Sequence, residues 1–225
     1  KRILFLFNKF PYPAIGGDKI KVYNIAKVLQ QDFSIDLVCI NEGPVGRNKF
    51  SKEPFENIYC FNFPSLRFKL NTLKAINSAL PLQTHYYYFK EVEEFIAANL
   101  KNYNLAFCHL LRMAPYIIDK EIPKIIDLAD SLSLTYSRFY HYASGIWKLL
   151  YFIDSARLQR YEIEITKRFG MALLVNSKEK DLLVSRGADA DKIEVITNGV
   201  NENLFLSGPP SEENKELVFF GRLAE

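Results

Sequence analysis

Short, nearly unbroken apolar runs alternate along this chain with longer stretches in which apolar residues recur every three or four positions. Lys1-Arg-Ile-Leu-Phe-Leu-Phe7 is apolar from its third residue onward, the pattern of a parallel strand covered on both faces. Pro11, Pro13, Gly16 and Gly17 then mark a loop, and Val22, Ile25, Ala26 and Leu29 share one face of a predicted helix. Strands are predicted over 35–40 and 58–63. The segment 65–89 breaks the rhythm: Arg67, Lys69 and Lys74 lie among Leu66, Phe68, Leu70, Leu73 and Ile76, followed by Pro81 and the run Tyr86-Tyr87-Tyr88-Phe89. The alternation resumes with a helix around 91–100, a strand over 104–108, a helix near 114–119 and a strand over 124–128. A long helix from about 146 to 169, a strand over 171–175, a helix from about 177 to 186 capped by Ser177, and a strand over 193–196 complete it. This order predicts an α/β fold with a doubly wound, Rossmann-like, mostly parallel sheet and helices on both faces.

A further apolar run, Glu216-Leu-Val-Phe-Phe-Gly-Arg-Leu223, follows the Asn198-Gly199 turn and a polar stretch. A chain that stops just after a fresh buried strand is expected to continue into another domain. The expected division is residues 1–205 as one domain and 206–225 as a linker and the first strand of the next.

Composition narrows the class without choosing a function. The 225 residues are 48% hydrophobic and 24% charged, ordinary for a soluble α/β protein. A formal net charge of +3 gives no basic footprint for nucleic acid. Cys39, Cys60 and Cys108 lie in or beside apolar runs without metal-ligand spacing, so they are expected to be buried free thiols in a reducing compartment. There is no apolar run long enough for a membrane span. The expected location is the cytoplasm, with peripheral contact to the inner face of the membrane.

Gly16-Gly17 stands between a buried strand and a helix start, where backbone N–H groups lack intrahelical partners and favour anions. The pair is not the G-x-G-x-x-G fingerprint, which disfavours a dinucleotide. By itself it fits a phosphate-binding loop or a simple turn equally well. Read further, Gly16-Gly17-x-x-x-Lys21-x-x-Asn24-Ile-Ala-Lys-Val-Leu29 resembles the first loop and helix of the retaining family-four glycosyltransferases of the GT-B fold. Arg160-Tyr-Glu162 is similar to that family's Arg/Tyr-Glu pair, and Val175-Asn-Ser177 through Asp181-Leu182 to its strand-Ser-x-x-x-Asp-x-Leu. Lys192-Ile-x-Val-Ile-x-Asn-Gly-Val200 with Phe205, and Phe219-Phe-Gly-Arg-Leu223, resemble its interdomain turn and the strand opening its second domain. The five matches fall in the family's order across almost the whole chain.

The resemblance implies two Rossmann-like halves facing across a cleft, the first holding the acceptor and the second most of a nucleotide-sugar donor. It implies transfer of the sugar to a polysaccharide, lipid-linked or small acceptor with retention of configuration, and no metal or other cofactor, the nucleotide-sugar being a co-substrate. Gly16, Gly17, Lys21 and Arg222 would contact the donor diphosphate. The family often has His-Asp after the strand equivalent to 124–128. Here the chain reads Ile126-Asp-Leu-Ala-Asp-Ser131, with Ala129 in the histidine's place and Asp130 kept. Thr197 also replaces the usual proline before Asn198.

Asp127 and Asp130 fall at a strand's C-terminal end, where open α/β sheets bind ligands, and are the candidate catalytic carboxylates. Asp130 could equally cap the next helix, aided by Ser131. His109, Arg112, Ser131, Ser177 and Asn198 are candidate cleft residues. His85 and His141 are expected in irregular, aromatic-rich stretches. The 65–73 segment, with Arg67, Lys69 and Lys74, reads either as an interfacial helix for an anionic membrane carrying a lipid-linked acceptor or as a solvated cover over the sheet. The Tyr86–Phe89 run could stack on a sugar or simply pack. Two other functions stay open: a GT-B-fold nucleotide-sugar epimerase, which needs acid/base carboxylates in the same cleft, and a non-catalytic sugar- or partner-binding module.

Overall fold

Strands without a polar face can satisfy their backbones only against one another and must be covered on both sides. The computed structural model, which describes residues 1–44, 52–75 and 78–199, shows this outcome. Strands β1 (Arg2–Phe7), β2 (Ser34–Glu42), β3 (Asn57–Phe63), β4 (Leu105–His109), β5 (Lys124–Ala129), β6 (Met171–Leu174) and β7 (Ile193–Val195) form one sheet in the order β3-β2-β1-β4-β5-β6-β7. Every neighbouring pair is parallel; Phe5, for example, is in register with Leu37 on one side and Phe107 on the other.

Seven helices connect the strands among the described residues: α1 (Gly17–Leu29), α2 (Ser65–Leu73), α3 (Leu82–Tyr86), α4 (Lys90–Asn99), α5 (Leu132–Tyr142), α6 (Gly145–Arg168) and α7 (Ser177–Ser185). The alternation of side chains along each strand divides the core in two. Leu4, Leu6, Val38, Ile40, Ala106, Cys108, Ile126 and Leu174 pack with Phe68 of α2, Val92 and Ile96 of α4, Leu158 and Ile165 of α6 and Leu183 of α7. On the other face, Ile3, Phe5, Phe7, Leu37, Cys39 and Phe107 pack with Val22 and Ala26 of α1. At the N-terminal edge of the sheet the buried Asp36 accepts hydrogen bonds from Arg2 (2.7 Å), Tyr103 (2.8 Å) and Asn57 (2.9 Å). Both of its oxygens are hydrogen-bonded to other elements, so it anchors strands.

Several expectations are corrected. The helix expected near 114–119 is instead a 3-10 stretch, Leu111–Tyr116, with Pro115 inside it; proline lacks the N–H an α-helical ladder needs. His85 and His141 lie in α3 and α5 rather than in irregular chain. Aromatic-rich composition hid the helix of residues 132–142. Asn176, not Ser177, caps α7, accepting from the Glu179 N–H at 2.9 Å. Cys39 and Cys108 are buried, but Cys60, near the sheet edge on β3, is only partly so. The expected boundary near residue 205 and the run 216–223, including Arg222, lie outside the described residues.

Candidate functional site

The strand order reverses between β1 and β4, and in such sheets the carboxyl ends of the strands open into a crevice at the reversal. Three side chains converge there, next to the end of β1. Asn8 follows β1, His109 ends β4, Asp127 lies in β5, and Lys21 reaches over from α1. Lys21 Nζ is 2.8 Å from Asp127 Oδ1, and His109 Nδ1 is 2.9 Å from Asp127 Oδ2. The imidazole also meets the edge of Phe7, ring centroids 5.3 Å apart. Asp127 is fully buried and His109 nearly so.

The protonation pattern follows from these contacts. Burial alone would push the Asp127 carboxyl up, but the hydrogen bond and charge of His109, with those of Lys21, outweigh it and hold the carboxyl below its usual range. An ionised carboxylate only accepts, so the Nδ1 facing it carries the proton and donates. In the neutral ring Nε2 is then an acceptor. That Nε2 is buried and has no hydrogen-bond partner among the described residues; the same holds for both side-chain atoms of Asn8, which is 2% exposed. Buried polar groups are rarely left so, and these belong to adjacent strands at the reversal point.

The backbone is distorted at the same place. The positive-φ residues other than glycine among those described are Leu110 (φ 69°), immediately after His109, and Ala129 (φ 58°), two residues after Asp127. Left-handed geometry costs a residue with a Cβ about 1–2 kcal/mol, and such strain gathers at functional sites. The register of β5 against β6 also shifts between Asp127 and Ala129, and the Ala129 N–H donates to Asp127 Oδ1 at 3.0 Å.

Around the crevice, α1 is preceded by Gly16 (φ 91°, ψ 149°) at its N-cap, with no side chain capping its first N–H groups. This conformation is open essentially to glycine alone. A Cβ added at Gly17, by contrast, would meet only open space. Asp18 in the first turn pairs with Lys9 at 2.8 Å. Burial pushes its carboxyl up, but Lys9 and, more weakly, His109 and Arg112 bring it below the usual range. The Arg112 guanidinium lies 5.3 Å from the centre of the Tyr87 ring, a cation–π distance.

Beyond β5, the turn that carries Asp130 is clamped from below. Ser131 caps α5, accepting from the Leu134 N–H, while its own N–H donates to Glu179 at 2.7 Å. The Glu162 carboxylate of α6 accepts from the Ser133 N–H (3.1 Å), the Ser133 hydroxyl (2.6 Å) and the Ser131 hydroxyl (3.1 Å). Burial raises the Glu162 carboxyl against these hydrogen bonds. Ser131, not Asp130, is therefore the cap, and Asp130 is exposed in the turn.

Of the residues picked out from sequence, Gly16, Gly17, Lys21, His109, Arg112 and Asp127 gather at the reversal point, and Asp130 and Ser131 lie one turn farther along. Ser177 and Asn198 are exposed beyond the ends of β6 and β7, toward the far edge of the sheet. With strands about 4.8 Å apart, the end of β7 is roughly 19 Å from that of β1. Asn8 was not singled out from sequence; its signal was a lone polar side chain directly after the first apolar strand. Among the described residues, no group of three or more His, Cys, Asp or Glu is placed to hold a metal ion, and no helix is long and apolar enough to cross a membrane.

No protein-family model and no curated protein matches the chain. Solved structures do. HepE from Anabaena, crystallised with UDP and glucose, aligns over 92% of this chain and 47% of its own, with a TM-score of 0.53 and 18% identity. MnaA of S. aureus, solved with UDP, aligns over 87% of this chain and 44% of its own, with a TM-score of 0.51 and 15% identity. The lipopolysaccharide outer core galactosyltransferase WaaB aligns over 95% and 50%, with a TM-score of 0.50 and 13% identity. The chain thus spans about half the length of these proteins. At such identities the likeness is one of fold: the seven-stranded parallel sheet with helices on both sides is that of one half of a GT-B protein.

Proposed function

We propose that this chain is the acceptor-side half of a GT-B glycosyltransferase that takes its sugar from a nucleotide-sugar, with a second half completing the donor site. The observation that carries this reading is the Asp127–His109–Lys21 cluster at the reversal point, with the unpartnered Asn8 amide and His109 Nε2 beside it. The crossover fold, the capless helix start at Gly16 and the five sequence resemblances support the same reading. In it, the Gly16–Gly17 amides and nearby cations face the donor diphosphate, where helix N–H groups and positive charge stabilise a departing anion. The His109 Nε2 and the Asn8 amide hold acceptor or sugar hydroxyls. Asp127 sets the imidazole's tautomer and orientation, and Asp130 is the exposed carboxylate of the neighbouring turn. Transfer with retention and without a metal is the expected course. Arg222 would contact the diphosphate from the second half.

The test is to incubate the full-length protein with a panel of nucleotide-sugars and candidate acceptors, following release of nucleoside diphosphate and glycosylated product. Asn8→Ala and His109→Ala should each lower kcat/KM by about 10- to 100-fold, the range for losing one hydrogen bond to a reacting hydroxyl, with the fold retained. Normal turnover in both folded variants would remove the site from the reaction. An epimerase is the second reading, because a buried carboxylate–imidazole pair is also acid–base machinery. It predicts interconversion of sugar epimers with no acceptor present. Binding of nucleotide-sugar with neither product would leave a non-catalytic module.

A further inference from the structure

The α5–α6 hairpin extends far past the sheet. α6 has 24 residues, about 36 Å at 1.5 Å each, whereas the strands it connects to, β5 and β6, have six and four, about 13–20 Å. α5 leaves the C-terminal end of β5, and α6 returns to the start of β6 at the opposite edge. The excess length therefore projects beyond the C-terminal edge, the edge where Asp127 and His109 lie. Burial agrees: the buried residues of α6 begin at Asp154, with none among the nine before it.

This projecting tip is apolar, aromatic and of one charge sign. Phe139, Tyr142 (90% exposed), Ile146, Trp147 (62%), Leu149 and Phe152 all face solvent. Between Ser131 and Ile153 the sequence has no Asp or Glu but carries Arg138 and Lys148, both exposed. The first acid afterwards, Asp154, is fully buried and accepts from the Leu82 N–H. Ring contacts Tyr136–Tyr151, Phe139–Tyr151 and Tyr140–Phe152 join the two helices. The tip is therefore a built feature, with an open groove of about 510 Å³ between Phe139, Tyr142, Trp147 and Tyr151.

We propose that this tip inserts into the interfacial layer of an anionic lipid bilayer and tethers the domain at the membrane surface. Trp and Tyr rings suit the boundary between headgroup and acyl chain, where one end is wet and the other apolar. Arg and Lys stems can lie along apolar surface while their charges reach the headgroups. A second copy of the chain fits less well. A two-fold contact through the tip would bring Arg138 and Lys148 of one hairpin near the same cations of the other, with no acid between Ser131 and Ile153 to pair them. The α2 segment expected from sequence to carry this role is less suited. Leu66, Leu70 and Leu73 are exposed there, but Arg67 is tied to Glu91 at 2.7 Å and lies over the rings of Phe63 and Phe89.

Trp147 is the single tryptophan of these 225 residues, and the part of the indole signal that Trp147→Phe removes reports on the hairpin. Full-length protein is titrated with vesicles of phosphatidylcholine containing about 30% phosphatidylglycerol, with sedimentation to measure binding and bromine-labelled lipids to quench the indole. The expected result is a blue shift, quenching by shallow bromine labels, and weaker binding to vesicles of phosphatidylcholine alone. The double variant Arg138→Gln/Lys148→Gln should bind the anionic vesicles about 25-fold more weakly, about fivefold per cation. Tyr142→Ser/Phe152→Ser should lose the quenching, and all four side chains are exposed enough that circular dichroism should not change. Absence of blue shift and sedimentation with anionic vesicles overturns the proposal. So does a blue shift without lipid that grows with protein concentration, the signature of self-association. Wild-type binding by both hairpin variants, with loss in Arg67→Glu/Lys69→Glu/Lys74→Glu, would move the membrane contact to α2 and overturn it as well. Vesicle binding needs neither donor nor acceptor, so its outcome is independent of whether the protein transfers sugar.

Discussion

Asp127→Asn isolates the charge at the centre of the site. The native carboxylate is fully buried and accepts from Lys21 and His109, at 2.8 and 2.9 Å, and from the Ala129 N–H. Asparagine keeps one oxygen for Lys21 and Ala129 but turns an N–H₂ toward His109, forcing the other tautomer and removing the counter-charge. Breaking one side of a buried pair costs about 3–5 kcal/mol. The Lys21 side chain is 15% exposed and can regain some water, so the lower end, about 3 kcal/mol, is expected. In a domain of this size that is about 6–12 °C in Tm. The pH dependence gives the sign. The folded carboxyl is held below its unfolded value of about 3.9, so its stabilisation is complete above that value and is lost as pH falls through the lower folded pKa. Urea unfolding of both proteins between pH 7 and pH 3 should show a constant difference down to about pH 4 and a shrinking one below. A difference under about 1 kcal/mol at pH 7, or one unchanged at pH 3, would refute an ionised, paired Asp127.

Gly16→Ala should cost about 1–3 kcal/mol in urea unfolding because its φ of 91° is forbidden to a Cβ, whereas Gly17→Ala should leave stability within about 1 kcal/mol and lower kcat/KM with the donor if phosphate approaches that backbone. Equal effects of the two on stability would contradict the geometry of the helix start. Asp130→Asn should leave Tm unchanged, since Ser131 is the cap, and should lower turnover about 10- to 100-fold if the carboxylate touches substrate; normal turnover would make it a surface residue. Glu162→Ala strands the donors of Ser131 and Ser133 and should cost about 3 kcal/mol, while Glu162→Gln should be milder and should flatten the loss of stability that the raised carboxyl produces as pH climbs above about 4.3. Cys39, its thiol raised by a hydrogen bond to Cys60 and by burial, lowers Cys60 in turn, so mass spectrometry after brief iodoacetamide treatment at pH 8 should find Cys60 alkylated first. Earlier modification of Cys39 or Cys108, both buried, would count against that order.

The fold was legible because doubly covered strands have to be apolar throughout and their connecting helices apolar on one stripe. Ile3–Phe7, Ile35–Ile40 and Ala172–Leu174 announce themselves on those grounds alone, as do the faces of α1 and α6. The helix of residues 132–142 did not, because an exposed aromatic hairpin has no polar face to set a period. The 3-10 stretch at Leu111–Tyr116 hid behind an apolar pattern that Pro115 could not extend. Asp127, His109, Arg112 and Lys21 could each be named from their places after strands or beside the glycine pair. Their association could not, because Lys21 and Asp127 are 106 residues apart and meet only through the crossover that puts β4 and β5 on the far side of β1. Local patterning was enough for the layers, the parallel sheet and the residues able to do chemistry. Which carboxylate is buried and paired, which serine caps, which polar atoms are left unpartnered, and that the apolar tip of α5 and α6 stands beyond the sheet all emerged from packing in three dimensions. Those outcomes depend on side chains far apart in sequence sharing one low-dielectric space, and no local pattern encodes that.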